Sequence, residues 1–385
     1  MKICYLTQTV SNDILERWAK WFASRGHEVH LILPKSSSSF KIFTETTKFS
    51  KSICIHNVNI DIPVIKHLPF YTSWNLLLHR KIISKINPDI IHGLNIIETG
   101  IPVAFSGNYV KVVDVLGVEI TLIYLNPIYK ILVKTAFRRS HLIHFYAENL
   151  YEMAKEVSSK KDKDKMFTSY LAVDTKIFNP NINPNEIRKR LELGNDYLVI
   201  TTRSFASIYN IECLIDAIPI VLKEIPNVKF ILKSWYSTEH ADRTNKLKNK
   251  VKKLKVFDCV KFIDYVPYND LPKYLACADV YVSTSLFDGL GISNIEALAC
   301  GTPAVLADID STRNLIKKGL HAHLYLPKDS NALAKEIVAS IKNREKDNKE
   351  IHKENFRIIK EHYDFDKNIE KIEQLYKDLI DKYKK

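Results

Sequence analysis

Glycine is scarce in this chain: ten residues in 385, well under the ~7% of an average protein. A local cluster of glycines therefore carries information. Long apolar runs are missing as well, since no stretch nears the ~18 residues that a membrane-spanning helix needs. The six cysteines (Cys4, Cys54, Cys213, Cys259, Cys277 and Cys300) form no C-x-x-C pair and accompany no histidine pattern. That leaves no redox or zinc motif and reads as free thiols in a reducing compartment, hence a cytoplasmic protein. Met1 to Thr7 reads as an opening strand, not as the charged start of a secretory leader.

Charge of one sign is in excess. A net charge of +13 predicts attraction to something acidic: nucleic acid, anionic lipid headgroups or a phosphorylated substrate. A lysine-favouring coding bias gives the same balance without any function. No aromatic-interleaved basic motif or zinc pattern supports nucleic acid, so no nucleic-acid partner is expected. Lys130, Lys134 and Arg138 recur along one side of a helix expected over Pro127 to Arg138. They make either a solvated face or a dock for anionic headgroups, which would place the chain peripherally at the inner membrane face.

With 385 residues and 46% hydrophobic content the chain can bury two ordinary cores. Strand and helix patterns alternate from Lys2 to Phe145 and again from Tyr197 onward. Such alternation predicts parallel sheets covered by helices on both faces. A proline-dotted polar stretch, Asn179 to Asn185, reads as the linker. The expected domains are residues 1–178 and 179–364.

Three of the ten glycines fall in thirteen residues, in Asp288-Gly-Leu-Gly-Ile-Ser-Asn-Ile-Glu296-Ala-Leu-Ala-Cys-Gly301-Thr-Pro303. An apolar strand precedes the cluster and a short helix follows it. Glycines on a strand-to-helix turn let backbone amides approach a ligand, and a helix N-terminus favours an anion. Asp288 and Glu296 frame the turn with seven residues between them. Amides that accept a diphosphate, with acids placed for sugar and ribose hydroxyls, suit a sugar nucleotide. Two plainer readings stand beside this one. Ser293-Asn-Ile-Glu296 fits a capping box that merely starts a helix, and Asp288 simply favours a turn.

The segment resembles the E-x7-E signature of retaining glycosyltransferase family 4, the "glycosyl transferases group 1". Leu198-Val-Ile-Thr-Thr-Arg203 resembles that family's strand ending in G-R, and Phe262-Ile-Asp-Tyr-Val-Pro267 its F-x-G-Y-V-P. Asn87 to His92, Val113 to Glu119 and Ser169 to Asp174 resemble further family motifs in the right order. The resemblance implies an α/β fold of GT-B type: two Rossmann-like, doubly wound parallel-sheet domains with an interdomain cleft. It also implies that residues 365–385 form a helix crossing back to the first domain. The implied activity is retaining transfer of a sugar from a nucleotide-diphosphate donor to a hydroxyl acceptor, with surface polysaccharide or lipid-linked glycan assembly as the usual setting.

Carried over residue by residue, the resemblance gives Arg203 the donor diphosphate, Asp288 the transferred sugar and Glu119 a place near the reacting centre. Gly289, Leu290, Gly291, Ile292, Glu296, Asn210 and Val266 would bind the donor, and Asn12, His92 and Gly117 would lie on the acceptor side. No cofactor and no metal are implied. The chain departs from the family at two points. No lysine follows Arg203, which leaves Tyr209 or Asn210 to help hold phosphate, and no glycine pair opens the first domain, where Ser11-Asn-Asp13 fills the turn. A catalytically inactive GT-B binding subunit is the alternative these departures raise. Asp308-Ile-Asp310 and His321-Ala-His323 have metal-like spacing, yet the first comes late in the chain and the second lacks a third ligand.

Overall fold

The computed structural model describes residues 1–7, 12–34, 52–58, 71–234, 241–343 and 349–383. Contacts divide the chain into two units, Met1–Ser169 with Ile369–Lys385, and Tyr170–Asn368.

The first unit holds seven parallel strands: β1 Lys2–Leu6, β2 Glu28–Pro34, β3 Ile53–Val58, β4 Ile90–Gly93, β5 Val110–Val115, β6 Leu142–Phe145 and β7 Met166–Thr168. Their order is β3-β2-β1-β4-β5-β6-β7. β4, β5 and β6 are buried at every position, as expected of strands covered on both faces, and their mostly apolar runs also bury His92, Lys111, Asp114 and His144. Trp18 and Phe22 from the helix Asn12–Ser24, and Val133 and Phe137 from the helix Pro127–Arg139, are fully buried in this unit. Each such side chain contributes roughly 1.5–3 kcal/mol by leaving water. The helix Phe365–Tyr383 joins this unit from Ile369 on. There Glu373 accepts from Arg25 Nη2 at 2.9 Å and meets His27 Nε2 at 2.7 Å.

The second unit has six parallel strands: β8 Tyr197–Thr201, β9 Val228–Lys233, β10 Val260–Ile263, β11 Val280–Ser283, β12 Ala304–Ala307 and β13 His323–Tyr325. Their order is β10-β9-β8-β11-β12-β13. Val199, Phe230, Leu232, Val280, Val282 and Val305 pack with Leu214, Ile218 and Val221 of the helix Ile211–Glu224 and with Leu333 and Ile337 of the helix Ser330–Lys342. Both sheets are doubly wound: the strand run goes one way from the central strand and then resumes on its other side. The lysine-rich helix Ala241–Lys253 lies between β9 and β10 in the chain.

Candidate active site

In the second unit the strand order reverses between β8 and β11, and a sheet of this kind opens a crevice beyond the carboxyl ends at that point. Arg203 comes just after β8, and Asp288 sits on the turn between β11 and the helix Ile292–Ala299. The topology therefore brings the two together. Arg203 Nη2 donates to Asp288 Oδ2 at 2.5 Å, and Nη1 donates to Ser293 Oγ at 2.7 Å. The Tyr209 ring lies 4.2 Å from the guanidinium carbon, a cation–π contact. Tyr281 donates to the same Ser293 hydroxyl at 2.9 Å.

The pair is nearly dry, with side chains 9% and 13% exposed. Burial is the largest influence and works against a charged Arg203, but the Asp288 carboxylate together with Tyr209, Tyr281 and Glu296 outweighs it, so its pKa ends above the ordinary value. For Asp288 burial dominates and raises the carboxyl, against the pull of Arg203 and of the Gly289 and Gly291 amides. The Asp288 carboxylate thus collects a guanidinium and two backbone N–H groups, the donor set that suits a phosphate oxygen. Arg203 Nε and Asn210 Nδ2, both buried, find no hydrogen-bond partner among the described residues, and the same is true of Asn294 Oδ1. A buried donor left unmatched costs free energy unless something supplies an acceptor.

Gly291 makes this turn possible. Its φ of +70° lies in the left-handed region, and a Cβ there would meet Asn294 Nδ2 at 2.7 Å. Gly291 is also the N-cap of the following helix, with no side-chain cap. This corrects the capping-box alternative: the helix begins before Ser293, whose hydroxyl serves Arg203 and Tyr281. Glu296 is 6% exposed and close enough to Arg203 to raise its pKa. Leu290 and Gly289 are buried and Ile292 is half-buried beside them. Asn210 has a left-handed backbone (φ 45°) and caps the helix Ile211–Glu224. The loop carrying it is fastened to the other side of the site, because Thr284 Oγ1 donates to the Tyr209 carbonyl at 2.6 Å and Leu286 N to the Ile208 carbonyl at 2.8 Å. Val266 is 5% exposed in the segment after β10.

Ser293, Tyr281 and Asn294 were missed by sequence reasoning. The regular strand and helix patterns around them give no sign that their polar atoms turn inward. Tyr209 was considered as a phosphate ligand, whereas here it backs the guanidinium.

The candidates of the first unit have a different fate. His92 is fully buried on β4; its Nδ1 contacts Tyr376 Oη and its Nε2 lies 2.6 Å from Asp114 Oδ1. Asp114 Oδ1 also meets His144 Nδ1 at 2.9 Å, while Tyr146 donates to Oδ2 at 3.2 Å and His144 Nε2 lies 2.8 Å from Ser169 Oγ. Both ring nitrogens of His92 are engaged in the interior, so it is a structural residue and not an acceptor-side one. Glu119 Oε1 accepts from Leu116 N at 2.6 Å, and its carboxylate holds the turn at Gly117. Burial raises its carboxyl above the ordinary range, while the amides of Leu116, Glu119 and Gly117 pull it back. Gly117 precedes this turn in extended backbone, with φ −174°. Asn12 opens the helix Asn12–Ser24, but its side chain, like Ser11, lies outside the described residues.

The two metal-like spacings have protein partners. Asp308 Oδ1 accepts from Arg313 Nε at 2.7 Å, and His323 Nδ1 lies 3.1 Å from Glu336. Among the described residues no group of three His, Cys, Asp or Glu could hold a metal ion. Among them, too, no helix is long and apolar enough to cross a membrane.

Two doubly wound parallel sheets, one with a buried arginine–carboxylate pair at its switch point, define a protein of GT-B fold. Solved structures agree. Anabaena HepE, crystallised with UDP and glucose, is similar at a TM-score of 0.78 and 18% identity, over 98% of this chain and 100% of that one. Sucrose-phosphate synthase from Thermosynechococcus elongatus is similar at a TM-score of 0.80 and 16% identity, over 98% and 99%. Two family models match in succession, "Glycosyl transferase 4-like" over residues 2–146 and "Glycosyl transferases group 1" over residues 183–357. The chain belongs to the group 1, family-4-like glycosyltransferases, and it is a glycosyltransferase enzyme. Among relatives, it is 21% identical over 352 residues to N-acetyl-alpha-D-glucosaminyl L-malate synthase of Bacillus anthracis, covering 89% of this chain and 87% of that one.

Proposed function

We propose that this enzyme transfers a sugar from a nucleoside diphosphate sugar to a hydroxyl acceptor, retaining the anomeric configuration, in the assembly of a surface polysaccharide or lipid-linked glycan. The observation that carries the donor reading is the Arg203–Asp288 pair. A charged guanidinium and two glycine amides converge at the β8/β11 switch point around a carboxylate that holds the place of an anion, and Arg203 Nε is left unmatched among the described residues.

An arriving diphosphate takes over the guanidinium and the Gly289 and Gly291 amides. The Asp288 carboxylate then turns to the sugar hydroxyls, and Glu296 accepts from the ribose. Asn210 Nδ2 is the neutral donor that serves where relatives use a lysine. As the bond from the anomeric carbon to the diphosphate oxygen breaks, negative charge gathers on that oxygen. Arg203 and the start of the helix Ile292–Ala299 meet it, which stabilises the transition state electrostatically. No metal ion is needed on this reading. The relatives support the donor class: Anabaena HepE was also crystallised with UDP-glucose.

Thermal unfolding in the presence of UDP-, GDP- and dTDP-sugars tests the reading. One nucleotide class should raise the melting temperature by mass action. If none does, or if donor hydrolysis and transfer are absent with every sugar nucleotide, the donor assignment fails.

A further inference from the structure

Eight large apolar side chains stand exposed among the described residues, and four of them fall within eight positions of the first unit: Tyr124, Leu125, Ile128 and Ile131. Leu125 is 77% exposed and Ile131 63%. Single exposed apolar residues are ordinary, but a contiguous group marks a surface that meets something.

The group lies at the start of the helix Pro127–Arg139. Asn126 Oδ1 accepts from Ile128 N at 2.9 Å and Pro127 opens the first turn, so the helix is firmly started. Val133, Ala136 and Phe137 point into the unit. The opposite face carries Ile128 and Ile131 together with Lys130, Lys134 and Arg138, all exposed. Residues 122–139 hold four cations and no acid. Arg139 is engaged, its guanidinium 4.3 Å from the Phe105 ring. Among the described residues Lys130, Lys134 and Arg138 have no acid at ion-pair distance.

Beside this face runs a groove of about 480 Å³, lined by Ile131, Lys134, Thr135 and Arg138 on the helix and by Ser158 and Ser159 opposite. Glu156 and Asp162 line it as well; Glu156 accepts from Tyr124 Oη at 2.9 Å, and Asp162 accepts from Ser159 Oγ at 2.6 Å.

We infer that this face docks the enzyme on an anionic lipid bilayer. Tyr124, Leu125, Ile128 and Ile131 enter at headgroup level, while Lys130, Lys134 and Arg138 meet lipid phosphates. Apolar and cationic side chains share the solvent-facing half of one helix and the turn before it, and a lipid interface places acyl chains and phosphates equally close together. The excess of positive charge over the whole chain, +13, adds long-range attraction to the same surface. The inference stands on unit-one residues alone and does not depend on the donor site.

Flotation of the full-length protein with vesicles tests it, using phosphatidylcholine with and without phosphatidylglycerol. The parent should float with the anionic vesicles, stay down with neutral ones, and be released by salt. Lys130→Glu with Lys134→Glu and Arg138→Glu should lower partitioning about a hundredfold. Ile128→Asp with Ile131→Asp should also weaken it, showing that charge alone does not hold the protein. All five positions are exposed, so melting temperature and donor-induced stabilisation should match the parent and show that the variants fold. Failure of the parent to float with anionic vesicles overturns the proposal. So does flotation of both variants at the parent's level, or retention on an acidic protein matrix without flotation.

Discussion

Both sheets set polar side chains at the reversal of their strand order, and the two halves treat them in opposite ways. In the first, His92 at the β1/β4 reversal is sealed with Asp114, His144, Ser169, Tyr146 and Tyr376, and each ring nitrogen of both histidines has a partner. In the second, Arg203 and Asp288 at the β8/β11 reversal leave Arg203 Nε, Asn210 Nδ2 and Asn294 Oδ1 unmatched among the described residues. A closed network stabilises the fold and asks for nothing more. Unmatched buried polar atoms weaken the fold unless a ligand completes them. Trp18 Nε1, packed against His92, is unmatched among the described residues as well, so spare hydrogen-bonding capacity alone does not separate the two halves. What the second adds is a charged guanidinium with an unmatched Nε beside a glycine turn.

The sharpest way to break this contrast is Arg203→Ala. If the guanidinium carries the leaving diphosphate, turnover per folded molecule should fall by about a thousandfold, the effect of removing a main electrostatic stabiliser. Nucleotide-induced stabilisation should vanish with it. Arg203→Lys should recover only part of the loss, because an ammonium cannot meet Asp288 and Ser293 through separate nitrogens of one planar group. Steady-state rates and melting curves read both effects. Turnover within a few-fold of the parent would mean that the second unit's pair is as structural as the first unit's network.

Much of this contrast could be read in the chain, and its limits have a physical cause. The βα alternation was legible because strands covered on both faces are mostly apolar, as in Ile90–Gly93 and Val280–Ser283, where His92 and Ser283 are the polar exceptions. The glycine turn was legible because a left-handed backbone such as that of Gly291 favours glycine. Arg203 and Asp288, separated by many residues, could be paired only through the family's pattern. The fate of His92 was not legible, since its partners come from β5 and from the C-terminal helix at Tyr376. A histidine at a strand end looks the same whether it faces a ligand or a buried carboxylate. The same limit hid Tyr281 and Ser293, whose roles depend on a guanidinium arriving from another strand.

The first unit's network should show itself in acid. Burial alone would raise the Asp114 carboxyl, but the charges of His92 and His144 and their hydrogen bonds outweigh it and bring it down to about 2. A carboxylate whose pKa is lower folded than unfolded stabilises the fold above its unfolded value, here 3.8, and that stability is lost as pH falls through 3.8 towards 2. Asp114→Asn removes this term. Urea unfolding of both proteins should show the parent's advantage shrinking by on the order of 2 kcal/mol between pH 5 and pH 2. At neutral pH the variant, once folded, should transfer sugar at the parent's rate. An advantage that holds steady into acid would show that Asp114 is not held as a carboxylate by the histidines.

The gentlest probe is Gly291→Ala, which tests whether the open site depends on its turn. The left-handed backbone costs alanine about 1 kcal/mol relative to glycine. The added Cβ also meets Asn294 Nδ2 at 2.7 Å, but that atom ends a side chain and can swing aside. Stability should therefore drop by only about 1 kcal/mol. The larger consequence is local. A displaced Asn294 and a shifted Gly291 amide no longer present the donor set that now surrounds Asp288, so the KM for donor should rise about tenfold with kcat less affected, in proportion to one weakened hydrogen bond. The corresponding position before the first unit's turn, Gly117, has extended backbone, and a Cβ there would meet its nearest neighbour, Glu119 Oε2, at an ordinary 3.7 Å. Gly117→Ala should leave donor KM unchanged, and an equal rise in both variants would erase the distinction between a turn that binds and a turn that only connects.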